Sequence, residues 1–175
     1  MLNFSRTDLL IGLAILIILL PFLWWRKHSL AYLLAFFLFW CYLLFVISEI
    51  IFPLTPDTGL PGINLVPFNL GCSLSDFLCL RNFVANILIT MPFGFGINFL
   101  VKLKPQSYLW LAPAVGLGLE LSQLAASLAF KSSFHVADIN DSLLNAIGVL
   151  LGYAVFRILG WLYHSPTSDV AHKTD

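Results

Sequence analysis

"ADINDSLLNAIGVLLGY" (residues 137–153) is a run of Leu, Ile, Val, Ala and Gly that opens on two aspartates and carries an asparagine one turn further in. Asp138, Asp141, Asn145, Gly148 and Gly152 step by three, four, three and four, which places them on one face of an α-helix. From Asp141 to Arg157 there are fifteen intervening uncharged residues, about 23 Å of helix. The hydrocarbon core of a bilayer is about 30 Å thick, so one of these charges has to dip inward. Arg157 can snorkel on its long stem. Asp141 has a short one and needs partners.

The rest of the chain shows the same solvent preference. Of its 175 residues 59% are hydrophobic and only 10% charged, with a mean hydropathy of +0.91; soluble domains carry about 25% charged residues. The net charge is zero, which implies no basic surface for nucleic acid. Leu9 to Trp25 and Phe83 to Val101 contain no charge, Leu30 to Phe52 contains only Glu49, and Tyr108 to Phe130 contains only Glu120. With the run from Ile139 to Tyr163 these make five segments near the ~20 residues that a spanning helix needs. The expected fold is therefore all-α, a polytopic bundle of five transmembrane helices. It forms one domain over residues 1–163, followed by a polar tail over 164–175. The first run, long and ending in Trp24-Trp25 without a small-x-small site, does not resemble a cleaved signal peptide.

Arg26 and Lys27, Lys102 and Lys104, and Arg157 and Lys173 all fall on one side of such a bundle. The positive-inside rule makes that side cytoplasmic, with the N-terminus outside and the C-terminus inside. The other side receives the long segment 53–82, turn-rich with its four prolines and three glycines. Cys72 and Cys79 lie in it with six residues between them. In an oxidising compartment they can form a disulfide; two reduced thiols packed among apolar neighbours are the alternative. Cys41 reads as a packing residue of the second helix. No Cys/His spacing resembles a zinc site, and neither metal nor cofactor is expected.

Three helices carry polar residues at membrane depth. In the fourth, Pro113, Gly116, Glu120, Gln123 and Ser127 step by three and four. An ionised carboxylate facing lipid at Glu120 would be costly, so it is expected to face protein or a water-filled cavity. If the fourth and fifth helices pair as a simple antiparallel hairpin, Gln123 lies level with Asn145, and Glu120 with Gly148. In the third, Asn82, Asn86, Thr90 and Gly94 step by four, and Pro92 with Gly94 and Gly96 suggests a kink or an unwound turn. Asp138 also suits a helix start, where a carboxylate caps free N–H groups.

The motifs "NLVPF" (64–68), "NILITMPFGF" (86–95), "ELSQ" (120–123) and "DINDSLLNAIGVLLGY" (138–153) resemble, in order and spacing, those of the VanZ-like family of bacterial membrane proteins. The resemblance covers a motif-bearing core from 64 to 153. The family often carries an arginine three residues before the first aspartate; here that position is His135, which can be uncharged near neutral pH. The resemblance implies a multi-pass protein of the bacterial cytoplasmic membrane, working where cell-wall precursors and lipoglycopeptides meet the membrane, with a link to teicoplanin-type glycopeptide susceptibility. On this reading Asn86, Glu120, Gln123, His135, Asp138, Asp141 and Asn145 line an outward-facing polar site. Its partners would be membrane lipids and a lipid-linked cell-wall precursor or lipoglycopeptide. A zwitterionic or sugar-bearing ligand fits better than a bare phosphate, because two carboxylates oppose an anion. The alternative is an intramembrane enzyme with Glu120, Asp138 and Asp141 as acid–base groups. Proton or ion movement along the polar seam is a third, and a closed polar glue between helices needs no ligand at all.

Overall fold

The structure is a computed structural model that describes residues 4–52, 59–73, 75–132 and 136–164. The elements are α1 (Arg6–Trp25), α2 (Leu30–Ile50), β1 (Gly62–Asn64), α3 (Phe77–Leu100), a 3₁₀ turn (Pro105–Ser107), α4 (Tyr108–Phe130), β2 (Val136–Asp138) and α5 (Ile139–His164). Among the described residues five helices are long and apolar enough to cross a membrane, as expected. Ser5 and Asp8 form a reciprocal capping box at the start of α1, and Ser29 accepts the Tyr32 N–H at the start of α2. These side chains occupy N–H groups that a helix end leaves free.

α3 begins at Phe77, six residues before the apolar run suggested, because Asp76 caps it by accepting the Leu78 N–H. It continues unbroken through Pro92 to Leu100, so the unwound turn expected there does not occur. Gly94 and Gly96 serve packing instead. A Cβ on Gly94 would collide with the Val149 carbonyl, and one on Gly96 would meet the Phe39 ring at 2.9 Å.

α5 is the central helix, packed against α3 on one side and α4 on the other. Its glycines set the approach to α3: a Cβ on Gly148 would strike Thr90 Oγ1 and the Ile87 carbonyl, and one on Gly152 the Met91 carbonyl. Such close backbone contact is how helices associate in lipid, where burying apolar surface drives little. Thr90, fully buried, donates its hydroxyl to the Asn145 carbonyl across this interface (2.9 Å). Tyr108 stacks on Tyr153 at 3.9 Å and donates to Asn98 Oδ1 at 2.9 Å, joining α4 to α5 and α3. α2 attaches to α3 through Tyr42, whose hydroxyl donates to the Ile89 carbonyl (2.6 Å), and α1 packs on α2, where Trp40 donates to the Gly12 carbonyl (3.0 Å).

Two short strands are the feature that helical periodicity did not show. β1 and β2 pair in parallel, Gly62 with Val136, Ile63 with Ala137 and Asn64 with Asp138. After α4 the chain reverses at Lys131, held left-handed at φ 49°, and the Ser132 N–H returns to the Ser127 carbonyl (2.8 Å). It then runs back beside α4 before α5 begins. β2 packs beside α4, and β1 pairs with it in the same direction. Non-helical backbone at this depth is tolerated only where protein or a cavity surrounds it.

Cys72 and Cys79 are joined by a disulfide with Cα atoms 6.0 Å apart, inside the range a bridge requires. It ties the loop to the first turn of α3. A maleimide should therefore modify Cys41 alone in denatured, unreduced protein, and two further thiols after reduction. Closing so short a loop stabilises the fold by about 2.5 kcal/mol. Three reactive thiols without reduction would contradict the bridge.

Candidate functional site

The re-entrant geometry sets the level of the polar residues. Glu120 lies ten residues before Phe130, the last residue of α4, about 15 Å of helix. Its Oε2 accepts the backbone N–H of Asp138 at 2.9 Å, so α5 starts at this depth and not at the end of α4. Gly116, one turn further along α4, faces the Ser142 carbonyl. The expected pairing of Glu120 with Gly148 and of Gln123 with Asn145 is thus displaced by ten residues. A hairpin register assumes a tight turn, and here a returning strand separates the helices. The α5 stripe is also divided: Gly148 and Gly152 face α3, and only its acidic end meets Glu120.

Asp138 is the hub of the re-entrant pair. Its Oδ1 accepts the backbone N–H and the side-chain amide of Asn140, both at 2.8 Å, which is the helix-capping role. Its Oδ2 accepts from Asn64 Nδ2 at 3.0 Å. Asn140, 5% exposed, holds the loop from the other side: its Oδ1 accepts the Phe68 N–H (2.7 Å) and its Nδ2 donates to the Asn69 carbonyl (3.1 Å). Asn64 Nδ2 also donates to the Asn69 carbonyl (2.9 Å), and its Oδ1 accepts the Val66 N–H (3.2 Å). These bonds fix the "NLVPFN" segment with Phe68 at φ 64°, a conformation unusual for a bulky residue. Asn64 and Asn140 were not among the residues singled out from sequence. Asn140 lies off the three-four stripe, and Asn64 sits in a loop without periodicity. The signal available was an asparagine inside each of two motifs, "NLVPF" and "DIND".

Asp141 lies near Glu120, close enough for their charges to interact, and the Asn86 side chain lies beside its carboxylate. Glu120, Asp138, Asp141 and Asn86 therefore lie close together. Asn145 lies one turn deeper on α5. It is 2% exposed, and its Oδ1 has no hydrogen-bond partner among the described residues. Gln123 does not join the cluster. Its Nε2 donates to the Ile50 carbonyl (3.0 Å) and so satisfies the C-terminal end of α2, whose last carbonyls lack helical partners. His135 lies outside the described residues. Among the described residues no group of three or more His, Cys, Asp and Glu forms a metal-holding arrangement.

A cavity of about 100 Å³ opens beside this cluster. Its wall is almost wholly apolar: Ile63, Leu65, Leu117 and Leu121 line it, and Glu120, Asp138 and Ser142 border it without presenting much polar surface. These four apolar residues are exposed on the surface of the bundle.

Five helices long and apolar enough to cross a membrane make the architecture of a multi-pass membrane protein. The VanZ/LLP1 family profile matches residues 39–160, and the chain belongs to that family. The match extends beyond the 64–153 motif core into α2 and ends near the close of α5. No curated protein and no solved structure matches the chain.

Proposed function

We propose that this protein binds the headgroup of a lipid-linked or glycolipid envelope component in the polar site formed by Glu120, Asp141 and Asn86. The observation that supports this most is the meeting of Glu120 and Asp141 beside a small apolar cavity lined by Ile63, Leu65, Leu117 and Leu121, which are exposed on the surface of the bundle. That arrangement suits an amphipathic ligand. The end bearing the re-entrant loops faces outward across the bacterial cytoplasmic membrane, on the distribution of Arg26, Lys27, Lys102 and Lys104, with the N-terminus outside and the C-terminus in the cytoplasm. A lipid-linked wall precursor or a lipoglycopeptide would meet the site there, and glycopeptide susceptibility of the teicoplanin type would be one readout.

The second reading is acid–base chemistry on the same lipid. The juxtaposition of Glu120 with Asp141 favours it, whereas Asp138 is committed to holding backbone and amides. Hydrolysis or transfer of the headgroup by purified protein would distinguish it from binding.

Glu120→Gln retains shape and an acceptor for the Asp138 N–H while removing the charge. In a strain lacking the wild-type protein, it is expected to accumulate normally yet fail to restore envelope and glycopeptide-susceptibility phenotypes. Full complementation with unchanged thermal unfolding would overturn a role for the Glu120 charge.

A further inference from the structure

We infer that the groove between α2 and α3 holds an acyl chain of an anionic phospholipid, with its headgroup among Lys102, Lys104, Arg26 and Lys27. This site is separate from the Glu120–Asp141 cluster and does not depend on it. The groove has a volume of about 420 Å³, within the ~300–1,000 Å³ typical of ligand sites. Small residues keep it open: Ala31 and Ala35 of α2 and Gly96 of α3 all line it. Gly96 also lets the Phe39 ring sink against the α3 backbone, 2.9 Å from where a Cβ would stand.

The dimensions select the occupant. From Ala31 at one end to Tyr42 at the other, α2 advances eleven residues, about 17 Å of helix. That is about half of a hydrocarbon core some 30 Å thick, the depth of one leaflet. Tyr42 offers nothing polar at the deep end, because its hydroxyl is engaged with the Ile89 carbonyl. Spread over that length, the volume gives a mean cross-section of about 25 Å², a channel about 5 Å wide. A helix with its side chains is about 10–12 Å across and would rest on the rim. An extended hydrocarbon chain fits inside.

The charge at the shallow end selects the headgroup. Lys102 and Lys104 follow the groove residue Phe99 by three and five positions, and Arg26 and Lys27 precede Ala31 by five and four. All four cations are exposed, and residues 24–42 and 92–110 contain no Asp or Glu. An independent observation gives the level. Four of the five tryptophans, Trp24, Trp25, Trp110 and Trp161, stand exposed at this same end of the bundle, and exposed tryptophans mark the headgroup layer. The groove therefore opens among the headgroups, beside basic residues that no nearby carboxylate of the described chain neutralises. An anionic phosphodiester supplies the complementary charge.

The groove is open to the bilayer along its length, so its lipid exchanges with detergent on purification and can be added back. The test is titration of detergent-purified full-length protein, at low salt, with phosphatidylglycerol, with phosphatidylcholine of the same chains, and with glycerophosphoglycerol, the soluble headgroup. Thermal unfolding is the readout, because a ligand of the folded state raises its stability. Phosphatidylglycerol is expected to bind about tenfold more tightly than phosphatidylcholine, the scale of one or two basic residues at a membrane surface. The advantage should shrink as salt is added, and glycerophosphoglycerol should not stabilise at all. Lys102→Gln with Lys104→Gln, both at exposed positions, should reduce the advantage to about threefold or less. Ala35→Phe, which fills the groove, should weaken both lipids alike. Equal binding of the two lipids by the wild-type protein, or an undiminished advantage in the double lysine variant, would overturn the headgroup assignment. Stabilisation by glycerophosphoglycerol equal to that by the lipid would overturn the chain in the groove, and this comparison needs no variant to fold. A wild-type dimer in size exclusion that Ala35→Phe dissolves would show a second copy covering the groove and overturn the lipid.

Discussion

Gly148→Val should destabilise the protein by more than about 3 kcal/mol, as forced overpacking of a close interface does at its upper end. It should leave little folded protein in detergent. A Cβ at Gly148 would strike Thr90 Oγ1 and the Ile87 carbonyl, and neither group can yield. The Ile87 carbonyl belongs to the α3 backbone, and Thr90 Oγ1 is bonded to the Asn86 and Asn145 carbonyls. Moving α3 away would separate the acidic end of α5 from Asn86 and dismantle the site. Gly118 is the control on α4: nothing lies within 4 Å of a Cβ there, so Gly118→Val should change stability by no more than about 0.5 kcal/mol. Size-exclusion profiles and thermal unfolding of the two variants measure this directly, and a folded Gly148→Val with wild-type stability would refute the close α3–α5 contact.

Asn140→Ala should cost about 3 kcal/mol and release the loop that closes the site. The substitution removes the acceptor of the Phe68 N–H and a donor to the Asn69 carbonyl, each hydrogen bond worth about 1 kcal/mol. It also removes one of the two donors on Asp138 Oδ1. Hydrogen exchange should show lost protection across 64–69 and at the start of α5, with α1 and α2 unchanged. Unaltered exchange in the 64–69 segment would show that Asn140 does not anchor it.

How much of this was legible in the sequence depends on which physical signal each part leaves. The five helices follow from apolar run length, which any hydrophobic spanning segment must display. The inward orientation of Glu120 followed from the cost of a lipid-facing carboxylate, and the structure places Glu120 at 7% exposure against Asp138. Asn145, Gly148 and Gly152 were correctly read as an interior stripe of α5. Their partner was not, because a stripe of small residues fits any neighbour, and Gly148 and Gly152 face α3 instead of α4. The level of α5 was also hidden. Nothing in residues 131–138 announces that the chain runs back into the bundle, and the strands on either side are only three residues long. Their pairing joins segments more than seventy residues apart, which local periodicity does not register. Gln123 was misassigned for a related reason: its helical face points correctly inward, but the group that it meets is the Ile50 carbonyl of α2, whose position depends on tertiary packing. Asp138 turned out to combine its expected helix-capping role with a second one, the grip on Asn64, that only the strand pairing makes available.

The measurement that tests the central claim most directly is native mass spectrometry of the protein extracted gently from its own membrane, wild type beside Glu120→Gln. The account predicts that the wild-type protein carries one retained lipid-sized adduct, and that the equally folded variant has lost it. Identical adduct patterns in the two proteins, or a bare wild-type protein under conditions that keep other membrane proteins lipid-bound, would contradict it.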